Sequence, residues 1–196
     1  MLSRVDGYKT KRLLIVGLGD SSLNVKNYMK VLNSLSSALS DAKVKNVVIP
    51  DIQINNRDES WVQLTTARVL KNASYQVEKV DAKEDNEQGT LEAVSIYSAN
   101  NDATEINKGL AIANGMALTR RLGDLPSNIC TPSYLAETAK SLAKNYKLEC
   151  EVLEESEMKE LGMHSLLSVS KGSSEPGKLI SLSYNNAGKD QPVVLV

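Results

Sequence analysis

The chain has 196 residues, 41% of them apolar and 24% charged, with 23 basic residues against 24 acidic ones and a net charge of −1. That is the balance of a globular domain with room for part of a second, and it lacks the basic excess by which a nucleic-acid binder is recognised. No apolar run approaches the roughly 18 to 20 residues needed to span a bilayer, and no secretory leader opens the chain, so the expected setting is the cytoplasm, with no membrane partner.

Arg12 to Leu18 (RLLIVGL) is a continuous apolar run of the kind found in central parallel strands. It leads into Gly17-Leu18-Gly19-Asp20, after which Ser21 or Ser22 is placed to cap a helix carrying Val25, Tyr28, Leu32, Leu35 and Leu39 on one face. Lys45 to Pro50 reads as the next strand, joined to the first by a right-handed parallel crossover. Asp58 opens a less regular helix with Trp61, Leu64, Val69 and Ala73. The acidic stretch Asp81 to Gln88 reads as a solvated loop. Ala93 to Tyr97 follows as a short strand with Val94 and Ile96 on one face.

Asp102 with Glu105 offers a capping-box start to a long helix lined by Ile106, Leu110, Ala113 and Ala117. Gly123 is the expected left-handed stop, reinforced by Pro126. Thr131 and Pro132 then form an N-cap and first helical position for a helix burying Leu135, Ala139 and Leu142. Between them LGDLPSNICTP is dense in proline, glycine and capping residues, a joint rather than a passive linker. Further on, Leu148, Cys150 and Val152 share a strand face, Ser156 to Leu161 forms a short helix closed by Gly162, and Leu166 to Val169 is apolar. Lys171 to Gly177 makes a turn, and Leu179 to Tyr184 a strand. Pro192 to Val196 reads as a buried parallel strand, and a chain ending on such a strand is expected to be a fragment.

Candidate sites are sparse. Gly17, Gly19 and Asp20 after a strand invite a phosphate-loop reading, but the full GxGxxG spacing is absent and Asp20 would repel a phosphate. His164 is the single histidine, so multi-histidine metal sites are excluded, and a structural, hydrogen-bonded role is expected over a catalytic one. Arg120 and Arg121 fall in a last helical turn, where positive charge suits the helix dipole. Asp124 and Asn128 are placed to satisfy backbone donors in the joint through Asx turns. Cys130 and Cys150 lack CxxC spacing and read as reduced thiols. No carboxylate pair has ligand spacing, and no catalytic, cofactor-binding or metal-binding residue is assigned.

The stretch GLAIANGMALTRRLGDLPSNICTPSYLAETAKSLA, followed by MKELGMHSLLSVSKGSSEPGKLISLSYN and PVVLV, resembles the leucyl aminopeptidase (cytosol aminopeptidase) family, specifically from about Glu105 to Val196. The resemblance implies an α/β fold: a macro-domain-like N-terminal α/β domain, incomplete here, joined by a long helix to the first βα elements of an α/β metallopeptidase domain. The corresponding boundaries are 1–101, 102–131 and 132–196. It further implies a cytoplasmic homohexamer that removes N-terminal residues from peptides, using two divalent metal ions, manganese or zinc, to activate water. The family's metal-binding lysine lies in a motif of the form GKGxTFDxGG after the VVLV strand, a motif these 196 residues do not contain. The chain by itself is therefore expected to bind no catalytic metal and to be inactive. Two other readings stand beside this one: an ADP-ribose or related nucleotide module using Gly17 to Asp20, and a noncatalytic oligomerisation scaffold.

Overall fold

In the computed structural model of the chain, the residues described are 2–3, 10, 12–18, 23–50, 52–77, 93–97, 102–186 and 188–196. The backbone divides into two compact units, Met1–Arg121 and Leu122–Val196.

The first unit opens with strand β1 (Leu2–Ser3) antiparallel to β2 (Leu13–Leu14), Leu2 standing opposite Leu14. This corrects the central parallel strand expected over Arg12 to Leu18. Among the described residues, Leu13 and Leu14 are the part of that run that pairs, their partner runs antiparallel, and Ile15 is 71% exposed. An apolar run reports a preference for burial on both faces, which is commonest in parallel sheets, but the partner that actually pairs sets the direction. Helix α1 (Val25–Asp41) begins later than Ser21 or Ser22 would allow. Its cap is Asn24, whose Oδ1 accepts the Asn27 N–H at 2.9 Å. Asparagine is as good a cap as serine, so the choice was open in the sequence.

Tyr28, Leu32, Leu35 and Leu39 are the buried face of α1, as their spacing predicts. They divide between two clusters. Tyr28 and Leu32 pack with Leu23, Ile54, Val62 and Val69, while Leu35 and Leu39 pack with Ile49 and Leu70, with Leu14, Val16, Val47 and Val94 at the margin. Strand β3 (Asn46–Ile49) leads through helix α2 (Glu59–Ala73) to β4 (Ala93–Ile96), and β3 and β4 pair in parallel from Asn46–Ala93 to Ile49–Ile96. A parallel crossover is thus present, but it joins β3 to β4 rather than the first apolar run to β3. Asp58 caps α2, accepting the Trp61 N–H at 2.8 Å. The helix looked irregular in sequence because its buried positions include the polar Gln63, Thr65 and Thr66. The acidic stretch Asp81 to Gln88 lies outside the described residues.

Helix α3 (Thr104–Asp124) is entered through Asp102, whose Oδ1 accepts from the Thr104 hydroxyl at 2.6 Å and the Thr104 N–H at 2.9 Å. Those two bonds, the hydroxyl first, hold the Asp102 carboxyl below the usual carboxylate range. The expected capping box is not the arrangement found, because the Glu105 carboxylate pairs with Lys108 one turn on, at 2.6 Å. Among the described residues of α3 only Gly109 and Ala113 are buried; Ile106, Leu110 and Ala117 are half-buried. A Cβ at Gly109 would fall on the backbone carbonyl of Leu64, so α2 and α3 approach at a spacing that only glycine permits. Gly123 is not the left-handed stop predicted for it. It lies inside the last turn without a positive φ, and the helix ends at Asp124, where Pro126 disfavours helical backbone at Leu125.

In the second unit the joint closes on one atom: the carbonyl oxygen of Pro126 accepts from the N–H groups of both Ile129 and Cys130, at 2.9 Å each. Thr131 then caps helix α4 (Pro132–Tyr146), its Oγ1 accepting the Tyr134 N–H at 3.2 Å, with Pro132 at the first helical position, as expected. The buried stripe is rotated from the predicted one. Ala136 and Ala139 are buried and Leu142 half-buried, but Leu135 is exposed. Lys147, in the left-handed conformation at φ 56°, turns the chain into β5 (Glu149–Leu153), where Cys150 and Val152 face inward. Helix α5 (Glu155–Glu160) ends through Gly162 at φ 75°, and helix α6 (His164–Ser170) leads to β6 (Leu179–Ser183), antiparallel to β5 from Glu149–Ser183 to Leu153–Leu179. Pro192 to Val196 is neither strand nor buried: Leu195 is 93% exposed. An apolar segment becomes a strand only with a partner, and no described segment lies beside it.

Candidate functional site

Each unit gathers polar side chains at one place. In the first, helical spacing sets Arg68 and Asn72 one turn apart on α2, with Tyr75 just beyond its end. Arg120 comes from α3: its guanidinium lies 4.1 Å from the centroid of the Tyr75 ring, and its Nη1 donates to Asn72 Oδ1 at 3.5 Å. With Met29 and Asn33 from α1 and Met116 from α3, these groups line a cleft of about 460 Å³. Arg120 was expected only to balance the helix dipole. Its aromatic and amide partners give it a second, tertiary role, whereas Arg121 is the basic residue of the last turn. Arg68 was missed altogether. The available signal was its position four residues before Asn72 in a helix whose other positions are largely buried.

In the second unit the anchor is Glu155. Its Oε1 accepts the Gly177 N–H at 2.9 Å and the Ser170 hydroxyl at 3.0 Å, so it ties the start of α5 to the end of α6 and to the turn before β6. The Gly177 amide, then the Ser170 hydroxyl, hold this carboxyl below the ordinary glutamate value. Beside it Lys178 reaches both Glu154 oxygens, at 2.7 and 2.6 Å, while the Glu154 N–H is taken by Glu157 Oε2 at 2.8 Å. This arrangement fastens a turn, tying α5, α6 and the approach to β6 together.

The residues singled out from the sequence do not converge. Gly17 is exposed, has no heavy atom near where a Cβ would lie, and is not in the left-handed region, while Gly19, Asp20, Ser21 and Ser22 lie outside the described residues. Seven residues separate Gly17 from α1, whose first turn is already capped by Asn24, so the phosphate-loop reading gains no support. His164 opens α6 rather than lying in a loop. It is exposed, and its ring makes no hydrogen bond among the described residues, in contrast to the expected hydrogen-bonded role. At the joint, Pro126 rather than Asn128 supplies the acceptor for the backbone donors described above. Cys130 and Cys150 are free thiols. Among the described residues no three His, Cys, Asp or Glu side chains gather as a metal site, and no catalytic step is assigned to any of them. No helix among them is long and apolar enough to cross a membrane.

Residues 1–84 match the N-terminal domain of the cytosol aminopeptidase family, and residues 117–196 match that family's catalytic domain. The chain belongs to the cytosol aminopeptidase family. A probable cytosol aminopeptidase from Vesicomyosocius okutanii subsp. Calyptogena okutanii (strain HA) is 51% identical over 196 residues, spanning 100% of this chain and 41% of that protein. Another from Azoarcus sp. (strain BH72) is 38% identical, again over 100% of this chain and 41% of its own length. The chain therefore spans about two fifths of the curated relatives it matches. Among solved structures, the bottromycin maturation enzyme BotP in complex with Mn superposes with a TM-score of 0.74 at 22% identity, over 88% of this chain and 36% of BotP. A tomato leucine aminopeptidase mutant gives 0.73 at 23% identity, over 97% of this chain and 39% of that one. Likeness at such identities establishes the mixed α/β fold. Membership in the family rests on the sequence matches.

Proposed function

We propose that these residues form the accessory domain and the opening of the catalytic domain of a metal-dependent aminopeptidase that removes N-terminal residues from peptides. The observation that carries the reading is the order of the matches: N-terminal domain first, catalytic domain second, along a chain aligned from end to end with a probable cytosol aminopeptidase at 51% identity. Division at 1–101, 102–131 and 132–196 places α3 and the Pro126 joint between the domains, with a macro-domain-like accessory part before them. The assembly proposed is a cytoplasmic homohexamer.

The catalytic metals, manganese or zinc, are held in this reading by side chains other than the ones present here. BotP, a structural neighbour, is described in complex with Mn, which supports a divalent ion. A bound metal pair would supply Lewis-acid polarisation of a carbonyl and a more acidic water. What this segment supplies is scaffold: the Pro126 joint, the Thr131 cap and the Glu155 anchor fix the first elements of the catalytic domain. The test is metal content. The 196-residue chain dialysed against manganese should retain no stoichiometric metal, and a longer polypeptide continuing through the GKGxTFDxGG motif should retain a pair of ions. Stoichiometric, chelatable metal on the 196-residue chain would show that its own side chains form the centre.

A further inference from the structure

The cleft between α1, α2 and α3 plays no part in that reading, and its lining is chemically one-sided. Two arginines, Arg68 and Arg120, line it, and no acidic residue is found among the described residues that line it. Neither arginine makes an ion pair among the described residues, although Arg68 is half-buried, a position where an uncompensated cation is costly. Arg120 is held in orientation by the Tyr75 ring beneath it. Its bond to Asn72 Oδ1 orients that amide so that the Asn72 Nδ2 hydrogens remain for another acceptor. The lining also includes the thioether side chains of Met29 on α1 and of Met116, one turn before Arg120 on α3, which adapt to flat apolar surfaces. The volume, about 460 Å³, is that of a small-molecule site.

We propose that this cleft binds a small molecule carrying an oxyanion, carboxylate or phosphate, on an aromatic or apolar body. The oxyanion is bracketed by the forks of Arg68 and Arg120, which suit planar or tetrahedral oxygens, and the body lies against Met29 and Met116.

The test is calorimetric titration of the protein with phenyl phosphate, with phenylacetate and with inorganic phosphate at low ionic strength. Saturable binding of one aryl oxyanion, tighter than inorganic phosphate, is expected, and the tighter of the two aryl probes identifies the anion. Arg68→Gln and Arg120→Gln should each weaken it about tenfold or more, the loss of a charge-assisted contact. Lys159→Gln, which removes an exposed cation of the second unit, should leave it unchanged. Because Arg120→Gln also removes the stack on Tyr75, Arg68→Gln decides the matter if the Arg120 variant loses its near-ultraviolet circular dichroism. Absence of saturable binding by all three probes, undiminished affinity in Arg68→Gln, an equal loss in Lys159→Gln, or inorganic phosphate binding as tightly as the aryl compounds would each overturn the proposal.

Discussion

The phenol of Tyr28 on α1 hydrogen-bonds the hydroxyl of Thr66 on α2, and both side chains are almost wholly buried. Thr66 donates its own hydrogen to the Val62 carbonyl at 2.6 Å, so at this pair the Tyr28 hydroxyl is the donor. The bond joins two helices 38 residues apart through their apolar contact. Thr66→Val preserves shape but removes the acceptor, and should lower unfolding free energy by about 1–3 kcal/mol. Tyr28→Phe should cost about 1 kcal/mol. Chemical denaturation of the two single variants and the double variant measures the coupling, which should be non-additive.

Two glycines of α3 should respond oppositely to alanine. Gly109 sits against the Leu64 carbonyl, so Gly109→Ala forces the helices apart and should destabilise by about 1–3 kcal/mol. Gly115 has nothing near its missing Cβ, so Gly115→Ala should stabilise by about 0.5–1 kcal/mol through helix propensity alone. Thermal midpoints of the pair check this, and equal shifts would remove the tight α2–α3 approach from the account.

Glu155 predicts an acid-side dependence. Its folded pKa is depressed by the Gly177 amide and the Ser170 hydroxyl. The stabilisation is therefore complete above the ordinary glutamate value and is lost as pH falls through the lower, folded value. In Glu155→Gln the second unit should be less stable at neutral pH, and its decline on acidification should be shallower. Urea midpoints followed at about pH 7 and about pH 3 would show this as a narrowing gap between the parent and the variant.

What was legible in the sequence was what local chemistry decides. The caps at Asp58 and Thr131, Pro132 at the first helical position, the buried face of α1 and the glycine stop at Gly162 each depend on a few neighbouring residues. Pairing is decided elsewhere. Leu13 and Leu14 could have joined any neighbour, and the segment from Pro192 to Val196 is apolar without a strand beside it. Gly123 failed as a stop because Pro126 alone ends the helix. Gly109 gave no signal, since its importance lies in a carbonyl 45 residues earlier in the chain. The Arg68 and Arg120 cleft was hidden for the same reason: each residue is ordinary on its own helix, and only packing brings them to one cleft. The family was legible from the joint, the α4 region and the turns beyond it, and the catalytic-domain match covers those residues.

The most direct measurement is hydrolysis of leucine p-nitroanilide by the longer polypeptide carrying these residues, loaded with manganese, with and without a chelator, beside the 196-residue chain under the same conditions. The account predicts turnover by the longer polypeptide that the chelator abolishes and metal restores, and none by the 196-residue chain. A folded, manganese-loaded longer polypeptide without turnover, or chelator-sensitive turnover by the 196-residue chain alone, would contradict it.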